Sequence, residues 1–170
     1  DPLIDFVHAD LIFEDRHIGP YVMRPLRIKN ILYPNIGRGM PYRHQSMVVR
    51  KEVFDRVGLF NLDYISSDYD WVCKWELSIK ESHGKAYYSD GVPVIKMDGG
   101  GISSTQERKI ILEAIQIIKQ RNRNLSFLEQ MKSDLALFTR LVLFYCRFLL
   151  KTMGFINILI KIKRLKYYRF

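Results

Sequence analysis

Asp68 occupies a position from which a carboxylate can do acid–base chemistry. The segment Ser66-Ser67-Asp68-Tyr69-Asp70-Trp71 leads into Val72-Cys73-Lys74-Trp75-Glu76-Leu77. Two serines able to cap a helix precede two acids, and Trp71, Val72, Trp75 and Ile79 follow at spacings that share one helical face. The free N–H groups and positive dipole end of a first helical turn favour an ionised carboxylate, so Asp68 is available as a base near neutral pH. An acid at this place also stabilises a helix without doing any chemistry, and that is the competing role for Asp68.

Two further segments carry polar groups at ordered places. His44-Gln45-Ser46-Met47-Val48-Val49-Arg50-Lys51 reads as a short strand. Glu52-Val53-Phe54-Asp55-Arg56-Val57-Gly58-Leu59-Phe60 follows as a short helix, with Val53, Phe54 and Val57 on one side and Gly58 as its stop. Downstream, Met97-Asp98-Gly99-Gly100-Gly101-Ile102-Ser103-Ser104 precedes a long helix. Its glycines permit close backbone approach and the N–H groups around Ser103 and Ser104 open a helix, a combination suited to a diphosphate. A plain Gly-rich turn feeding a capped helix is the alternative.

In this order the segments resemble the C-terminal half of the catalytic domain of family 2 glycosyltransferases, the inverting GT-A enzymes of bacterial surface-polysaccharide (lipopolysaccharide and capsule) synthesis. The family's pattern is a His-Gln strand, a Lys/Arg-x-x-Phe-x-x-x-Gly-x-Phe turn, a Glu/Ser-Asp-Tyr-Asp helix start and a Gly-Gly-Ile/Val-Ser loop. Here these are His44-Gln45, residues 51–60, Ser67-Asp68-Tyr69-Asp70 and Gly100-Gly101-Ile102-Ser103. The resemblance covers roughly residues 5–123.

It implies an α/β fold, the C-terminal part of a Rossmann-like GT-A domain, over residues 1–124; beyond it, composition and charge lead us to expect a connector and an α-helical membrane-associating tail over 125–170. The resemblance also implies transfer of a sugar, with inversion, from a nucleotide-sugar donor to a saccharide or lipid-linked acceptor. Asp68 matches the family's catalytic base. His44, Gln45, Asp70, Trp71, Gly100, Gly101, Ser103 and Ser104 are the expected substrate-binding residues. Asp70 is expected to hold the local hydrogen-bond network or an acceptor hydroxyl. A buried structural role competes for His44, and a core role for Trp71 and Trp75.

The family's nucleotide-binding half, with an Asp-x-Asp that holds Mg or Mn, is expected upstream of this sequence, so the chain alone is expected to be incomplete and inactive. Asp68-Tyr69-Asp70 spells Asp-x-Asp but precedes an amphipathic helix, and is matched to the base motif and not to a metal motif. No metal ligand is assigned; His8 and His17 have no Cys or second His at ligand spacing. The rival reading is a non-catalytic membrane-surface binding module that retains part of the fold.

The elements that must position these groups follow from pattern. Residues 6–13 read as a strand, at the place where the family commonly has Tyr-Gly-Asp. Residues 20–41, with Pro20, Pro25, Pro34, Pro41, Gly37 and Gly39, read as a long loop over the active face. Ser104-Thr105-Gln106-Glu107 is a capping-box pattern, and Ile110, Ile111, Ala114, Ile117 and Ile118 form the stripe of the helix behind it. Arg121-Asn122-Arg123-Asn124 ends that helix, and 125–132 reads as a connector.

The net charge of +9 belongs to the tail: eight of the 27 Lys and Arg, and none of the 18 Asp and Glu, lie in 135–170, which leaves residues 1–134 at +1. That distribution argues against a nucleic-acid reader, whose patch belongs on the folded body. Residues 135–150 are rich in Leu, Phe, Val and Tyr, with Arg140, Arg147 and Lys151 at offsets that superimpose on one face. No apolar run reaches the roughly 18 residues of a spanning helix. An interfacial helix with a basic edge, followed by the apolar 155–160 and the basic 161–169, suits an anionic membrane surface. Packing of Leu137, Leu141 and Phe148 on the body is the alternative. Cys73 and Cys146, unspaced for metal or disulfide work, point to a reducing cytoplasm, and with the basic tail the expected place is peripheral, on the inner face of the cell membrane.

Overall fold

The structure, a computed structural model, describes residues 1–24, 37, 39–89, 91, 93, 95–99 and 105–167. Gly100, Gly101, Ser103 and Ser104, most of the expected 20–41 loop, and 168–170 lie outside the described residues. Among the described residues the chain is a mixed α/β protein with two three-stranded sheets and five helices.

Strand β1 (Ile4–Ala9) pairs antiparallel with β4 (Val48–Val49) and parallel with β5 (Lys85–Ser89). Strand β2 (Leu11–Asp15) pairs antiparallel with β3 (Gly19–Met23) and parallel with β6 (Ile95–Asp98). The expected strand over 6–13 is therefore broken at Asp10, and its two halves are the middle strands of separate sheets. Being flanked on both edges explains why β1 buries Asp5, Phe6, His8 and Ala9 instead of alternating cleanly. The β2–β3 turn is closed by Asp15, whose Oδ1 accepts the N–H groups of His17 at 2.9 Å and Ile18 at 3.2 Å. Residues 20–23 thus belong to a hairpin strand and not to the loop expected over 20–41.

Helix α1 (Lys51–Val57) ends at Gly58, whose φ of 88° suits glycine and whose N–H bonds the Phe54 carbonyl at 2.8 Å. Helix α2 (Ser67–Ser82) turns Trp71, Val72 and Trp75 onto Phe6 of β1 and onto α3 (Glu107–Asn122), which contributes Ala114, Ile117 and Ile118. Phe6 meets Trp75 edge-on at 4.7 Å between ring centroids. The helical spacing read from the sequence therefore marks the core face.

Helix α4 (Phe127–Thr152) starts earlier than expected. A capping box sets its start: Oε2 of Glu129 accepts the Ser126 N–H at 2.9 Å and the Ser126 hydroxyl at 2.7 Å. The connector expected over 125–132 is thereby shortened to a few residues. At the head of α3, by contrast, Gln106 is the cap residue and makes no side-chain cap bond. The capping box expected over 104–107 begins at Ser104, outside the described residues.

The first half of α4 belongs to the body. Ser133, Ala136 and Leu137 are buried, and Gly37 lies so close that a Cβ on it would stand 2.6 Å from the Ser133 carbonyl. Arg140 does not share an outer basic stripe with Arg147 and Lys151, because its guanidinium lies 5.5 Å from the Tyr69 ring centroid. Helix α5 (Ile156–Tyr167) folds back against α4 and touches β3. No described helix is long and apolar enough to cross a membrane.

Beneath α2 sits a buried ion pair, Arg121 Nη2 to Glu76 Oε2 at 3.4 Å, with Arg121 Nη1 also 3.3 Å from Ser133 Oγ. Burial pushes the Glu76 carboxyl up to about 7, against the pull of Arg121. This pair joins α2, α3 and α4 at one point.

Candidate acid–base site

Asp68 is in the first turn of α2, as its sequence frame requires. Its helix is not started by a serine side chain, since neither Ser66 nor another cap residue makes the expected side-chain bond. Glu113 of α3 does the work instead: its Oε1 accepts the Ile65 N–H at 3.2 Å and its Oε2 the Ser66 N–H at 2.9 Å. A buried carboxylate from a neighbouring helix thus holds the N–H groups just ahead of α2 and adds negative charge at its positive end.

His44 arrives by a different route. The expected strand over 44–51 is a 3-10 turn at His44–Ser46, with only Val48–Val49 extended. Ser46 explains the departure. Its hydroxyl oxygen accepts the Ala9 N–H at 3.1 Å and lies 2.7 Å from the Ala9 carbonyl and 2.8 Å from that of Arg43. The side chain takes the place of ladder bonds at the end of β1, so the backbone coils and lifts His44 toward α2.

Nδ1 of His44 stands 2.8 Å from Oδ2 of Asp68, while Oδ1 of Asp68 accepts the Tyr69 N–H at 2.8 Å. Burial alone would raise the Asp68 carboxyl; the His44 hydrogen bond and charge, with the backbone N–H bonds, outweigh it and hold the carboxyl below its ordinary value. Asp68 is therefore ionised at neutral pH.

The pair stands at a pocket of about 230 Å³ whose other described lining residues are apolar: Met40, Met47, Val49, Phe54, Phe60, Trp71 and Val72. Phe54, Phe60 and Trp71 pack together at 5.3 to 5.9 Å between centroids, and Trp71 is fixed by its Nε1–H bond to the Gly58 carbonyl at 2.9 Å. The pocket is smaller than the roughly 300 Å³ at which clefts for larger ligands begin, and suits one ring-sized group.

The remaining expected site residues are placed as follows. Trp71 is buried and lines the pocket; Trp75 is fully buried, with Nε1–H on Asp5 Oδ2 at 2.7 Å. Gln45 is half-buried in the same turn as His44 but does not line the pocket. Asp70 is buried away from it and pairs with Lys74 Nζ at 2.7 Å. Gly99 donates its N–H to the Glu14 carbonyl at 2.8 Å, and a Cβ there would stand 2.9 Å from that oxygen, so β2 itself accounts for this glycine.

Sequence reading missed Glu113, Ser46 and the aromatic contribution of Phe54 and Phe60. Glu113 left one trace, an acid directly beside the apolar stripe of its helix.

The chain's own Asp68-Tyr69-Asp70 does not fit a divalent cation, because Asp68 is taken up by His44 and Tyr69 while Asp70 faces a lysine ammonium. Among the described residues no group of three or more His, Cys, Asp or Glu could hold a metal. His8 is buried amid Tyr42 and Tyr88, at 4.9 and 5.4 Å between centroids, and burial lowers it to about 4 against the pull of Asp10. His17 sits in the β2–β3 turn.

Comparisons with family models, with curated proteins and with solved structures return no match. The family resemblance rests on the sequence motifs.

Proposed function

We propose that this chain is the acceptor-side half of an inverting glycosyltransferase, transferring a sugar from a nucleotide-sugar donor to a saccharide or lipid-linked acceptor. The single observation that carries the reading is the ionised Asp68, paired with His44 at the mouth of an aromatic-floored pocket of ring size. An inverting transfer needs one such centre. As the acceptor oxygen bonds the anomeric carbon, its proton passes to the acid–base centre and the nucleotide diphosphate leaves from the opposite face with the bonding electron pair. The apolar walls suit the hydrophobic face of a sugar ring. Mg or Mn would be held mainly by the expected upstream half.

The same reading puts the enzyme on the inner face of a membrane. The outer side of α4 exposes Leu135, Phe138, Leu143, Tyr145, Phe148 and Leu149, with Arg147 and Lys151 beside them. An amphipathic surface of this kind, with no acids after residue 134, suits an anionic bilayer.

The test is Asp68→Asn in the complete enzyme, which keeps size while removing the basic carboxylate. Turnover is expected to fall by roughly 10²–10⁴-fold with little change in thermal unfolding. Undiminished turnover would exclude Asp68, and loss of the fold together with activity would leave the helix-stabilising role in its place. A complete protein that binds anionic vesicles but transfers no sugar would favour the membrane-binding module.

A further inference from the structure

We infer that the atom receiving the acceptor's proton is Nε2 of His44, with Asp68 acting as the carboxylate that orients and charges the imidazole. This rests on the transferase reading and deepens it. Both Asp68 oxygens already accept hydrogen bonds, Oδ2 from His44 Nδ1 at 2.8 Å and Oδ1 from the Tyr69 N–H at 2.8 Å. The Nδ1–H bond fixes one tautomer of a neutral imidazole, the one with its lone pair on Nε2. The His44 side chain is 42 % exposed against 28 % for Asp68, so the imidazole is the more accessible of the two.

Among the described residues no other titratable side chain lines the pocket: Asp68 faces His44 from α2, and Met40, Met47, Val49, Phe54, Phe60, Trp71 and Val72 supply the rest. The arrangement divides the labour as a carboxylate–imidazole pair does elsewhere, one group holding the ring and the other moving the proton.

The step balances simply. The acceptor O–H bond breaks and its proton goes to Nε2; the oxygen's electron pair forms the new bond to the anomeric carbon. The bond from that carbon to the diphosphate breaks, and its pair leaves with the nucleotide. The imidazolium, neutralised by Asp68, then returns its proton to water.

His44→Asn separates the two roles, because its amide N–H stands where Nδ1 stood and can still hold Asp68, while Nε2 is gone. In the complete enzyme, kcat/KM for this variant is expected to fall by about 10²–10⁴-fold with thermal unfolding unchanged. Wild-type kcat/KM is expected to drop tenfold per pH unit below the His44 midpoint read by NMR in the same protein. Activity of His44→Asn within about threefold of wild type, or an acid limb that ignores that midpoint, would overturn the inference.

Long-range proton–nitrogen NMR of the present chain at pH 8 supplies a readout that needs no turnover. Nδ1 should carry the proton and Nε2 none; a proton on Nε2 would also overturn the inference. A wild-type enzyme that transfers no sugar would remove the transferase reading and this role for His44 together, while the tautomer would stand as measured, so the two failures are told apart.

Discussion

Glu113 is the side chain on which the position of Asp68 depends, and Glu113→Ala measures how much. The variant strips the Ile65 and Ser66 N–H groups of their acceptors, bonds of 3.2 and 2.9 Å made by a carboxylate only 7 % exposed. Ser66 is equally buried and Ile65 partly so, which limits replacement by water. At about 1–3 kcal/mol for each buried donor left unmade, with Ile65 near the lower end, the loss comes to about 2–4 kcal/mol. In a chain of this length each kcal/mol moves Tm by about 2–4 °C, so a fall of about 4–16 °C is expected. Glu113→Gln keeps one acceptor oxygen but turns an amide NH2 toward the other N–H, and should cost about half as much. Urea unfolding followed by circular dichroism checks both, with an unchanged slope showing that the unfolded state is not the cause. A Glu113→Ala protein that melts within a degree of wild type would refute this account of how α2 is started.

Gly84→Ala should destabilise by roughly 1–3 kcal/mol, because the new Cβ would fall 1.8 Å from Asp5 Oδ2, the oxygen that accepts both Arg56 Nη2 and Trp75 Nε1. Thermal unfolding reads it, and a neutral result would mean that Asp5 can shift without losing those partners. His8, lowered to about 4 by burial, binds fewer protons folded than unfolded, so its contribution is full above about 6.5 and is lost as pH falls toward 4. His8→Phe should therefore flatten the stability profile between pH 6.5 and 4 relative to wild type. Arg147→Gln, Lys151→Gln and Lys161→Gln together remove three exposed charges; at about 1 kcal/mol each, binding to anionic vesicles should weaken by about 100-fold in a flotation assay. Deleting 135–170 outright is the poorer test, since Ala136 and Leu137 are core residues.

Local signals in the sequence read well wherever local chemistry decides the structure. The stop at Gly58, the acidic first turn at Asp68 and the buried stripe of Trp71, Val72 and Trp75 all depend on residues within a turn or two of each other. Misreadings fall where a distant side chain overrides the local pattern. Val48 and Val49 pull residues 44–51 toward a strand, but Ser46 spends its hydroxyl on Ala9 and coils the first half. Ser66 and Ser67 look like caps, but Glu113 reaches the backbone ahead of them. The apolar outer surface of α4 was legible as amphipathic, whereas the burial of Ser133 and the inward turn of Arg140 depend on Gly37 and Tyr69.

The candidate site shows the same division. Asp68 and His44 were both visible as chemistry-bearing residues, one assigned to the proton and the other to the substrate. Their relation was not, because nothing local to either residue encodes it. Ser46 fixes one partner to the end of β1 and Glu113 fixes the other from α3, and only the two anchors together bring Nδ1 to 2.8 Å from Oδ2. Weakening either anchor should therefore loosen the pair without touching it. Ser46→Ala and Glu113→Gln are both expected to lower the fraction of His44 in the Nδ1–H tautomer, seen in the same NMR experiment.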